Sequence, residues 1–584
     1  MDSEQDRLTS TGDGQAGFTW RAVLIAVVMA VFLLTSSSYI ALKLGALPWP
    51  IIFSVIIAGG LIKITNRSRP VNIHEINVAQ AGASIGGLIA AGVVFTLPGI
   101  LFLSKSQDLS IPWPNPFLLA PALAVAATLG VLLSVPLKYT FIDEEELPFP
   151  AGMAGAELLK LGKTGGRQLF LIILVGSLAG VFALLRDLYF PAGFTIPALS
   201  AAGIFLILLP MPLAVSGGYI LGGRAGFSWL AGAVVGWGVI MPLLLNGPLE
   251  VASARSWVQN LGMGMVLGSG IGFFTIYVIP RLGKIFIPML RGRTRLFRLF
   301  PVLMLGGAAV LWWQKVPLPA SILTLLGVWL MVTVAARMTG ETNINPLEQF
   351  GIFVGLVIAF VYSQLSLELT MLASFLIVAF VSVASAVSGD AGHDYKSAVI
   401  VGTRFFDIVK IDLITAAVAG LLAPFVLEAI RRGFAEQLFT PAMPAPQAQL
   451  VASSIFGFEF PRVFLTGFLI AFLGEVLNTI LPARWKDRFL WMPFGIGLFL
   501  GLGLALPLAL GAVLRVLVDR KAPDRYHSGL LLAAGIMGGE GISGFTAGAL
   551  TAVGWSYRFG ASILIGLFVI IMFVSWRLYR KYQE

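Results

Sequence analysis

Long apolar segments without regular polar interruption recur along almost the whole chain of 584 residues. An α-helix needs about 20 mostly apolar residues to cross a bilayer. Segments that approach or reach this length include Ala22–Leu42, Phe117–Leu137, Gln168–Leu185, Ser321–Ala336, Leu369–Val387 and Ala561–Trp576. Their apolar residues do not alternate with polar ones, so they predict helices and not the strands of an outer-membrane barrel. The pattern therefore predicts an all-α, polytopic integral membrane protein with about 16 transmembrane helices, some of them re-entrant or broken.

Composition agrees with a lipid environment and excludes several kinds of site. Hydrophobic residues make up 57% of the chain and charged residues only 12%, whereas a soluble protein carries roughly 25% charged residues. The chain has no cysteine, which excludes disulfides, thiolate metal sites and a cysteine nucleophile. We predict neither a cofactor nor a dedicated metal site.

Basic residues outnumber acidic ones, with a net charge of +10 at pH 7, and they concentrate in short loops. The strongest cluster comprises Arg281, Lys284, Arg291, Arg293, Arg295 and Arg298. The positive-inside rule describes this distribution, so we attribute it to membrane topology and not to nucleic-acid binding. It predicts a protein of the cytoplasmic (inner) membrane with a cytoplasmic N-terminus. Residues 1–18 are expected to form a disordered cytoplasmic tail, and the topology after about residue 430 stays open because the basic loops 484–488 and 515–525 fall on opposite sides.

Two pairs of similar segments indicate an internal repeat. The segment from Asn72 to Gly82 resembles the one from Asn343 to Gly351, and PMPLAVSGGYILGG at 210–223 resembles ALPLALGAVLRVLV at 505–518. Many secondary transporters are built from such repeats and bind their substrate between them. We therefore predict a first half at 19–290 and a second half at 295–584.

Glycine, at 66 residues, clusters inside apolar segments. The run LGMGMVLGSGIG at 261–272 is expected to allow close packing of helices. The run GIMGGEGISGFTAG at 535–548 encloses a carboxylate, so we expect a broken helix that lines a cavity there.

Two carboxylates lie within apolar segments, Glu475 in FLIAFLGEVLNTI and Glu540 in GIMGGEGISGF. An ionisable group at membrane depth costs at least about 2.5–3.5 kcal/mol and therefore suggests a function. Carboxyl groups in apolar surroundings can bind and release a proton near neutral pH. We predict Glu475 and Glu540 as proton-coupling residues; the alternative is a structural hydrogen bond to a neighbouring helix.

The densest polar group is SGDAGHDYKSA at 388–398. In a helix, Asp390, His393, Asp394 and Ser397 would share one face, because they lie three or four residues apart. An imidazole exchanges protons near neutral pH, and Lys396 can contact a carboxylate of the protein or of a substrate. We predict Asp390, His393, Asp394 and Lys396 as substrate-binding residues, with Asp390 and His393 also coupling protons. The alternative is a solvated loop with ion pairs.

Four further residues complete the predicted substrate site. Glu157 lies in a Pro- and Gly-bounded segment, 148–160, that looks re-entrant. Asn343 and Asn345 belong to TGETNINPLEQFG at 339–351, where helix capping is an equally good explanation. Tyr219 belongs to the repeated segment 210–223.

These motifs together resemble the oligopeptide transporter (OPT) family, which is related to the yellow stripe-like metal-chelate transporters. The resemblance rests on LPFPAGMAGAELLK (147–160), TGETNINPLEQFG (339–351), SGDAGHDYK (388–396), GLGLALPLALGAVLRVLVDR (501–520) and GLLLAAGIMGGEGISG (529–544). It implies about 16 helices that arose by duplication, and proton-driven uptake of peptides or metal chelates. The family's Gly-Asp-x-x-x-Asp-x-Lys core corresponds to Gly389, Asp390, Asp394 and Lys396. His393 and Tyr395 depart from the family's usual Gln and Leu, which bears on the substrate and not on the fold.

The leading hypothesis is a secondary active transporter that imports small oligopeptides with protons, alone or as a homo-oligomer. Uptake of metal-chelate, siderophore-like complexes is the alternative, since a wrapped metal needs no protein ligands. An intramembrane lipid-processing enzyme ranks lower, because the acidic run at 143–146 lacks nearby basic or histidine partners. The chain has no G-x-x-x-x-G-K-[ST] loop that would indicate an ATP-driven pump.

Overall fold

The structure of the protein, a computed structural model, describes residues 14–45, 47, 51–65, 72–160, 166–190, 193–208, 210–277, 280, 300–343, 345–481 and 489–581. The predicted basic cluster at 281–298 and the basic loop at 484–488 lie outside the described residues.

Helices dominate the first part of the chain. They are α1 (Trp20–Leu44), α2 (Ile51–Thr65), α3 (Ile73–Val94), α4 (Gly99–Ser106), α5 (Pro116–Lys138), α6 (Pro150–Lys160), α7 (Gly166–Tyr189), α8 (Pro197–Ala201), α9 (Pro212–Ala233), α10 (Met241–Leu245) and α11 (Val251–Tyr277). Wide π-helical turns extend α5 over Tyr139–Glu144 and α9 over Val234–Ile240. Two short strands, β1 (Phe194–Thr195) and β2 (Ile207–Leu208), pair antiparallel in register Phe194 to Leu208.

The second part is equally helical. Its helices are α12 (Phe300–Trp313), α13 (Leu318–Thr342), α14 (Leu347–Gln364), α15 (Met371–Val401), α16 (Phe405–Gly433), α17 (Pro446–Phe456), α18 (Pro461–Ile480), α19 (Trp491–Leu500), α20 (Leu502–Lys521), α21 (Tyr526–Ala552) and α22 (Tyr557–Lys581). A 3₁₀ turn, Pro523–Arg525, joins α20 to α21.

Local sequence signals mark several helix ends. Thr19 caps α1 by accepting a hydrogen bond from the backbone of Ala22, and Thr370 caps α15 in the same way. These side chains satisfy backbone N–H groups that the first helical turn leaves without partners. Gly45 and Gly402 end α1 and α15 in the left-handed conformation, which glycine adopts without steric cost.

Thirteen helical segments of the described chain are long and apolar enough to cross a membrane. Three shorter apolar helices, Ser54–Thr65, Met304–Trp313 and Trp491–Leu500, accompany them. The predicted class, an all-α polytopic membrane protein, is therefore confirmed, whereas the total of about 16 spans stays a prediction.

The span containing α3 and the span formed by α15 lie at the centre of the molecule. Their most apolar windows are 89% and 83% buried within the protein, against 17% for α18 and α22. Helices at the centre carry polar side chains away from lipid, so α3 and α15 are where intramembrane chemistry can be placed.

The end of the predicted N-terminal tail is held against the second half. The backbone of Gln15 pairs with that of Thr403, and Asp407 accepts a hydrogen bond of 3.1 Å from the backbone of Gly17. Residues 14–18 are thus ordered next to the start of α16.

The helix breaks lie elsewhere than predicted. Helix α21 runs without interruption through Gly538–Gly541, so the prediction of a broken helix there is wrong. Its glycines instead allow close packing, because a side chain on Gly539 would collide with the backbone of Gly176 in α7. The run at 261–272 also serves packing, as expected, since α11 is continuous and packs closely against α18 and α19.

Two breaks occur instead at Gly222 within α9 and at Gly501 between α19 and α20. Their backbone angles are almost the same: φ 82° and ψ 176° at Gly222, φ 82° and ψ −176° at Gly501. Side-chain-bearing residues rarely adopt this conformation. The broken helices pack closely against each other, with Gly218 against Leu508 and Val215 against Gly511. The segments 210–223 and 505–518, similar in sequence, are thus in direct contact.

Candidate functional site

A row of polar side chains joins α3 in the predicted first half to α15 in the predicted second half. Asn77, Gln80 and Ser84 lie three or four residues apart, which places them on one face of α3. Ser397 donates a hydrogen bond of 2.7 Å to Asn77 Oδ1. Gln80 Nε2 and Ser84 Oγ donate to the two oxygens of Asp394, at 3.1 and 3.3 Å. Asp394 is therefore held across the contact between α15 and α3.

The row continues to the beginning of α3. Asn77 Nδ2 donates to Thr403 Oγ1 at 3.0 Å, and His74 Nδ1 lies 3.1 Å from the same hydroxyl. A hydrogen-bonded path thus runs from the first turn of α3, through Asn77 and Gln80, to Asp394.

Three buried carboxyl groups meet at the inner end of this row, and we call them the carboxyl cluster: Asp390, Asp394 and Asp412. All three are fully buried. Asp390 and Asp412 act electrostatically on Asp394, and Asp390 also acts on Asp412. The two carboxyl oxygens of Asp390 and the two of Asp412 accept no hydrogen bond from a described residue. Ser84 nevertheless lies close to Asp390.

No lysine, arginine or histidine of the described chain forms an ion pair with the carboxyl cluster. In the described ranges, no group of three His, Cys, Asp or Glu side chains is arranged to hold a metal ion. Three negative charges so close together and so deeply buried would be very costly. The arrangement can instead hold protons, because a protonated carboxyl group carries no charge and can donate a hydrogen bond.

His393 faces a different neighbour from Asp390 and Asp394. Its Nδ1 accepts a hydrogen bond of 3.3 Å from the backbone of Gly152, and its ring packs edge-to-face on Phe149 at 5.7 Å. The prediction that His393 shares the face of the two aspartates is therefore wrong. The short helix α6 occupies that side of α15, and a side chain on Gly152 would collide with the backbone of His393.

The alternative of a solvated loop at 388–398 is also wrong. These residues continue α15 to Val401, and all except Lys396 are buried. Lys396 is half-buried and forms no ion pair with another described residue.

A second group of polar side chains surrounds Asn345, and we call it the uncharged polar cluster: Thr339, Asn345, Gln349, Ser382 and Ser385. Asn345 Nδ2 donates to the backbone oxygen of Ser385 at 3.0 Å. Asn345 Oδ1, both polar atoms of Gln349 and the hydroxyls of the other three residues are buried without a hydrogen-bond partner among the described residues. The cluster adjoins the carboxyl cluster, because Thr339 and Asn345 pack against Gly389, next to Asp390.

Asn343 acts mainly on local structure. It ends α13 in the left-handed conformation with φ 62°, and its Oδ1 accepts a hydrogen bond of 3.2 Å from the backbone of Ala151 in α6. Asn343 therefore ties α6 to the end of α13.

Glu475 is half-buried in α18 and accepts a hydrogen bond of 2.6 Å from Ser269 of α11. Gly272 packs against the same side chain, and Gly270, between the two contacts, packs against Gln349. Glu475 thus lies close to the uncharged polar cluster, on its α11 side.

Glu540 belongs to a separate, charge-balanced group. It forms an ion pair of 2.7 Å with Arg186 and accepts a hydrogen bond of 2.9 Å from the backbone of Leu213. Arg186 also pairs with Asp187 at 2.7 Å, and buried Lys43 lies within electrostatic range of both acids. Glu540 of α21 is therefore bound to α7 and α9.

The structure does not bring Glu157 or Tyr219 to either cluster. Glu157 lies on the exposed face of α6. Tyr219 is buried near the break in α9, with its hydroxyl directed at Gly529 and the Arg515 guanidinium 5.7 Å from its ring.

Several residues of the site escaped the sequence analysis. Asp412 is a single acid near an apolar stretch, the same signal that drew attention to Glu475, but nearby Asp407 and Lys410 make it look like part of a charged helix start. Gln80, Ser84 and the uncharged polar cluster carry no charge, so the cost of burying them is less visible in a sequence.

Comparisons with known proteins point to the same family as the sequence motifs. The model of a family described as "OPT oligopeptide transporter protein" matches residues 17–285 and 293–551. A Haemophilus influenzae protein named "Putative oligopeptide transporter" is 31% identical over 274 residues. This alignment covers 45% of the present chain and 41% of that relative, so the chain spans less than half of the relative's length in the match.

Proposed function

Because the chain belongs to the oligopeptide transporter family, we propose that it is a secondary active transporter that imports small oligopeptides by proton symport. Family membership makes it a multi-pass membrane transporter and not an enzyme. Peptide as substrate, the proton as driving ion and the cytoplasmic membrane with an inside N-terminus are parts of the proposal.

The carboxyl cluster carries the proposal. Asp390, Asp394 and Asp412 are fully buried at the contact between α3, α15 and α16, and no described lysine, arginine or histidine forms an ion pair with them. A carrier must couple the uptake of an ion to a change in the contact between its halves. Protonation of one carboxyl group removes a buried charge at that contact. Proton binding therefore stabilises the packing of α3 against α15.

The hydrogen bonds from His74 to Asp394 hold the side chains beside the carboxyl cluster. Asn77 Nδ2 donates to Thr403, and Gln80 Nε2 donates to both Asn77 Oδ1 and Asp394, so these amides orient Asp394 and do not relay a proton. We propose that Gln80 and Ser84 orient Asp394, while Asp390 and Asp412 exchange the proton.

The uncharged polar cluster suits the backbone of a peptide. Asn, Gln, Ser and Thr side chains offer both donors and acceptors, which matches the amide groups that all peptides share. Their polar atoms are closed off in this conformation, as a substrate site is when a carrier is occluded. Gly389 and Asp390 connect this cluster to the carboxyl cluster, so substrate and proton would act on the same turn of α15.

The two glutamates take different parts in the proposal. Glu475 lies near the uncharged polar cluster and stays a candidate for a second coupling group. Glu540 is engaged by Arg186 and by the backbone of Leu213, which is better suited to holding the halves together than to exchanging protons.

Uptake of labelled tripeptides into proteoliposomes tests the proposal. A pH gradient with the acid side outside the liposomes should drive accumulation inside, and Asp412→Asn should reduce the accumulation ratio to about one, because an uncoupled carrier only equilibrates its substrate. Peptide exchange across the membrane should persist in this variant. Asp108→Asn, an exposed aspartate in a loop, is the control and should accumulate peptide like the natural protein.

Two results would contradict the proposal. One is that the natural protein takes up peptide equally well with and without a pH gradient. The other is transport of ferric or other metal chelates without any transport of peptide, which would favour the metal-chelate hypothesis instead.

A further inference from the structure

A pocket of about 650 Å³ lies beside the break in α9. None of its described lining residues belongs to the carboxyl cluster or to the uncharged polar cluster. Its walls include Gly222, Phe227 and Phe489, and three arginines line it: Arg224, Arg515 and Arg520. Among the described lining residues Asp519 is the single acid. The described part of the pocket therefore carries an excess of two positive charges.

The three arginines differ in whether they form ion pairs. Arg515 Nε donates to Asp519 at 2.8 Å, and its guanidinium lies 4.0 Å from the ring centre of Tyr526. Within the described chain, Arg224 and Arg520 take part in no ion pair. Asp519 is thus already engaged by Arg515, which leaves two guanidinium groups without a carboxylate partner in the described part of the pocket.

The break at Gly222 adds backbone groups to the same wall. At Gly222 the backbone leaves the helical conformation, with φ 82° and ψ 176°. Arg224 therefore lies in the first turn after the break, and the start of a helical segment favours negative charge.

Exposed apolar side chains lie beside the pocket. Leu221 and Phe227 on its rim are 40% and 43% exposed, and next to it α20 exposes Leu510, Leu514 and Leu517. Arg520 follows directly in the last turn of this membrane-spanning helix. Apolar side chains in a row that leads to arginines match a lipid molecule, whose acyl chains continue into a charged head group.

We propose that this pocket binds the phosphate of an anionic phospholipid, with Arg224 and Arg520 as its main contacts. A guanidinium group can give two parallel hydrogen bonds to phosphate oxygens. Arg515 supports the site through its charge while Asp519 and Tyr526 hold it in place. The acyl chains lie along the exposed leucines of α20.

Native mass spectrometry of the purified full-length protein tests the assignment. The protein is titrated with dioleoylphosphatidylglycerol and, separately, with dioleoylphosphatidylcholine. We expect tight retention of the anionic lipid, and a loss of affinity of about tenfold in Arg224→Gln/Arg520→Gln, since each basic contact contributes to lipid binding. The double variant Arg462→Gln/Arg577→Gln, which changes two exposed arginines elsewhere, should bind like the natural protein.

Competition with inorganic phosphate separates the two possible sources of the anion. Retention of the lipid in excess phosphate supports the proposal, whereas displacement shows a site for free phosphate and overturns the lipid assignment. Equal binding of phosphatidylglycerol to the natural protein and to Arg224→Gln/Arg520→Gln would also overturn it. Size-exclusion profiles of all variants establish that they are folded, and none of these readings depends on peptide transport.

Discussion

Single residues of this protein show two ways of burying a carboxylate. Glu540 is satisfied by Arg186 and a backbone N–H, and nearby Asp187 and Lys43 complete a balanced set of charges. Asp412 has no such support among the described residues. The first arrangement holds a charge in place, whereas the second favours a group that is neutral for part of its working cycle.

The ion pair at Glu540 leads to a prediction about stability. Arg186→Gln leaves a buried carboxylate without its partner and should destabilise the protein by about 3–5 kcal/mol, the range for breaking a buried pair. Arg186→Gln/Glu540→Gln removes both charges and should recover most of this loss. Thermal unfolding of the purified variants in detergent measures both effects. A single Arg186→Gln variant that melts with the natural protein would show that the pair contributes little.

At the scale of elements, the glycines divide into two classes that look alike in sequence. Gly539 and Gly176 allow two helices to approach closely, whereas Gly222 and Gly501 interrupt theirs. At Gly222 a β-carbon would meet no other atom within 4 Å. Any cost of a side chain there must therefore come from the backbone conformation and not from crowding.

This difference predicts the effect of alanine at Gly222. Gly222→Ala should destabilise the protein by about 1–3 kcal/mol, because alanine is strained at φ 82°. Gly306→Ala is the matched control, since Gly306 also has open space around it but lies inside α12. There alanine should be neutral or stabilising by up to about 1 kcal/mol. Melting temperatures of the two variants give the comparison, and similar values would contradict the conformational explanation.

At the scale of the whole molecule, the predicted halves are interleaved and not merely side by side. Helix α3 of the first half packs against α15 and α16 of the second. The carboxyl cluster lies at this contact, and Glu540 is bound to α7 and α9 at another. Any motion of one half against the other must therefore rearrange buried polar contacts.

Engineered disulfides can test that motion, since the chain has no cysteine of its own. In Gly99→Cys/Ala452→Cys the bond would join α4 to α17 across the halves, where an ideal β-carbon on Gly99 lies 3.2 Å from that of Ala452. Oxidation should block peptide uptake, and a reductant should restore it, because alternating access moves one half against the other.

The control is the same variant kept in reductant, which carries both cysteines without the bond between them. It should transport peptide like the natural protein. Equal uptake by the oxidised and reduced forms would show that the contact between α4 and α17 stays closed throughout the cycle.

The sequence alone determined the membrane class, most of the helices and part of the site. Apolar runs specify transmembrane helices because lipid requires every backbone group to bond within its own segment, a local property of the chain. The motif at 388–398 identified Asp390 and Asp394, since two acids at the end of an apolar run are costly wherever the helix packs.

Only the tertiary structure decided which polar groups meet. Gln80 reaches Asp394 over 314 positions of the chain, and Arg186 reaches Glu540 over 354. Asp412 of α16 lies beside Asp390 and Asp394 and belongs to the carboxyl cluster. His393 instead contacts α6, because different helices pack around α15 at the two positions. Such partnerships depend on how helices pack, and the local pattern of residues carries no record of the opposing surface.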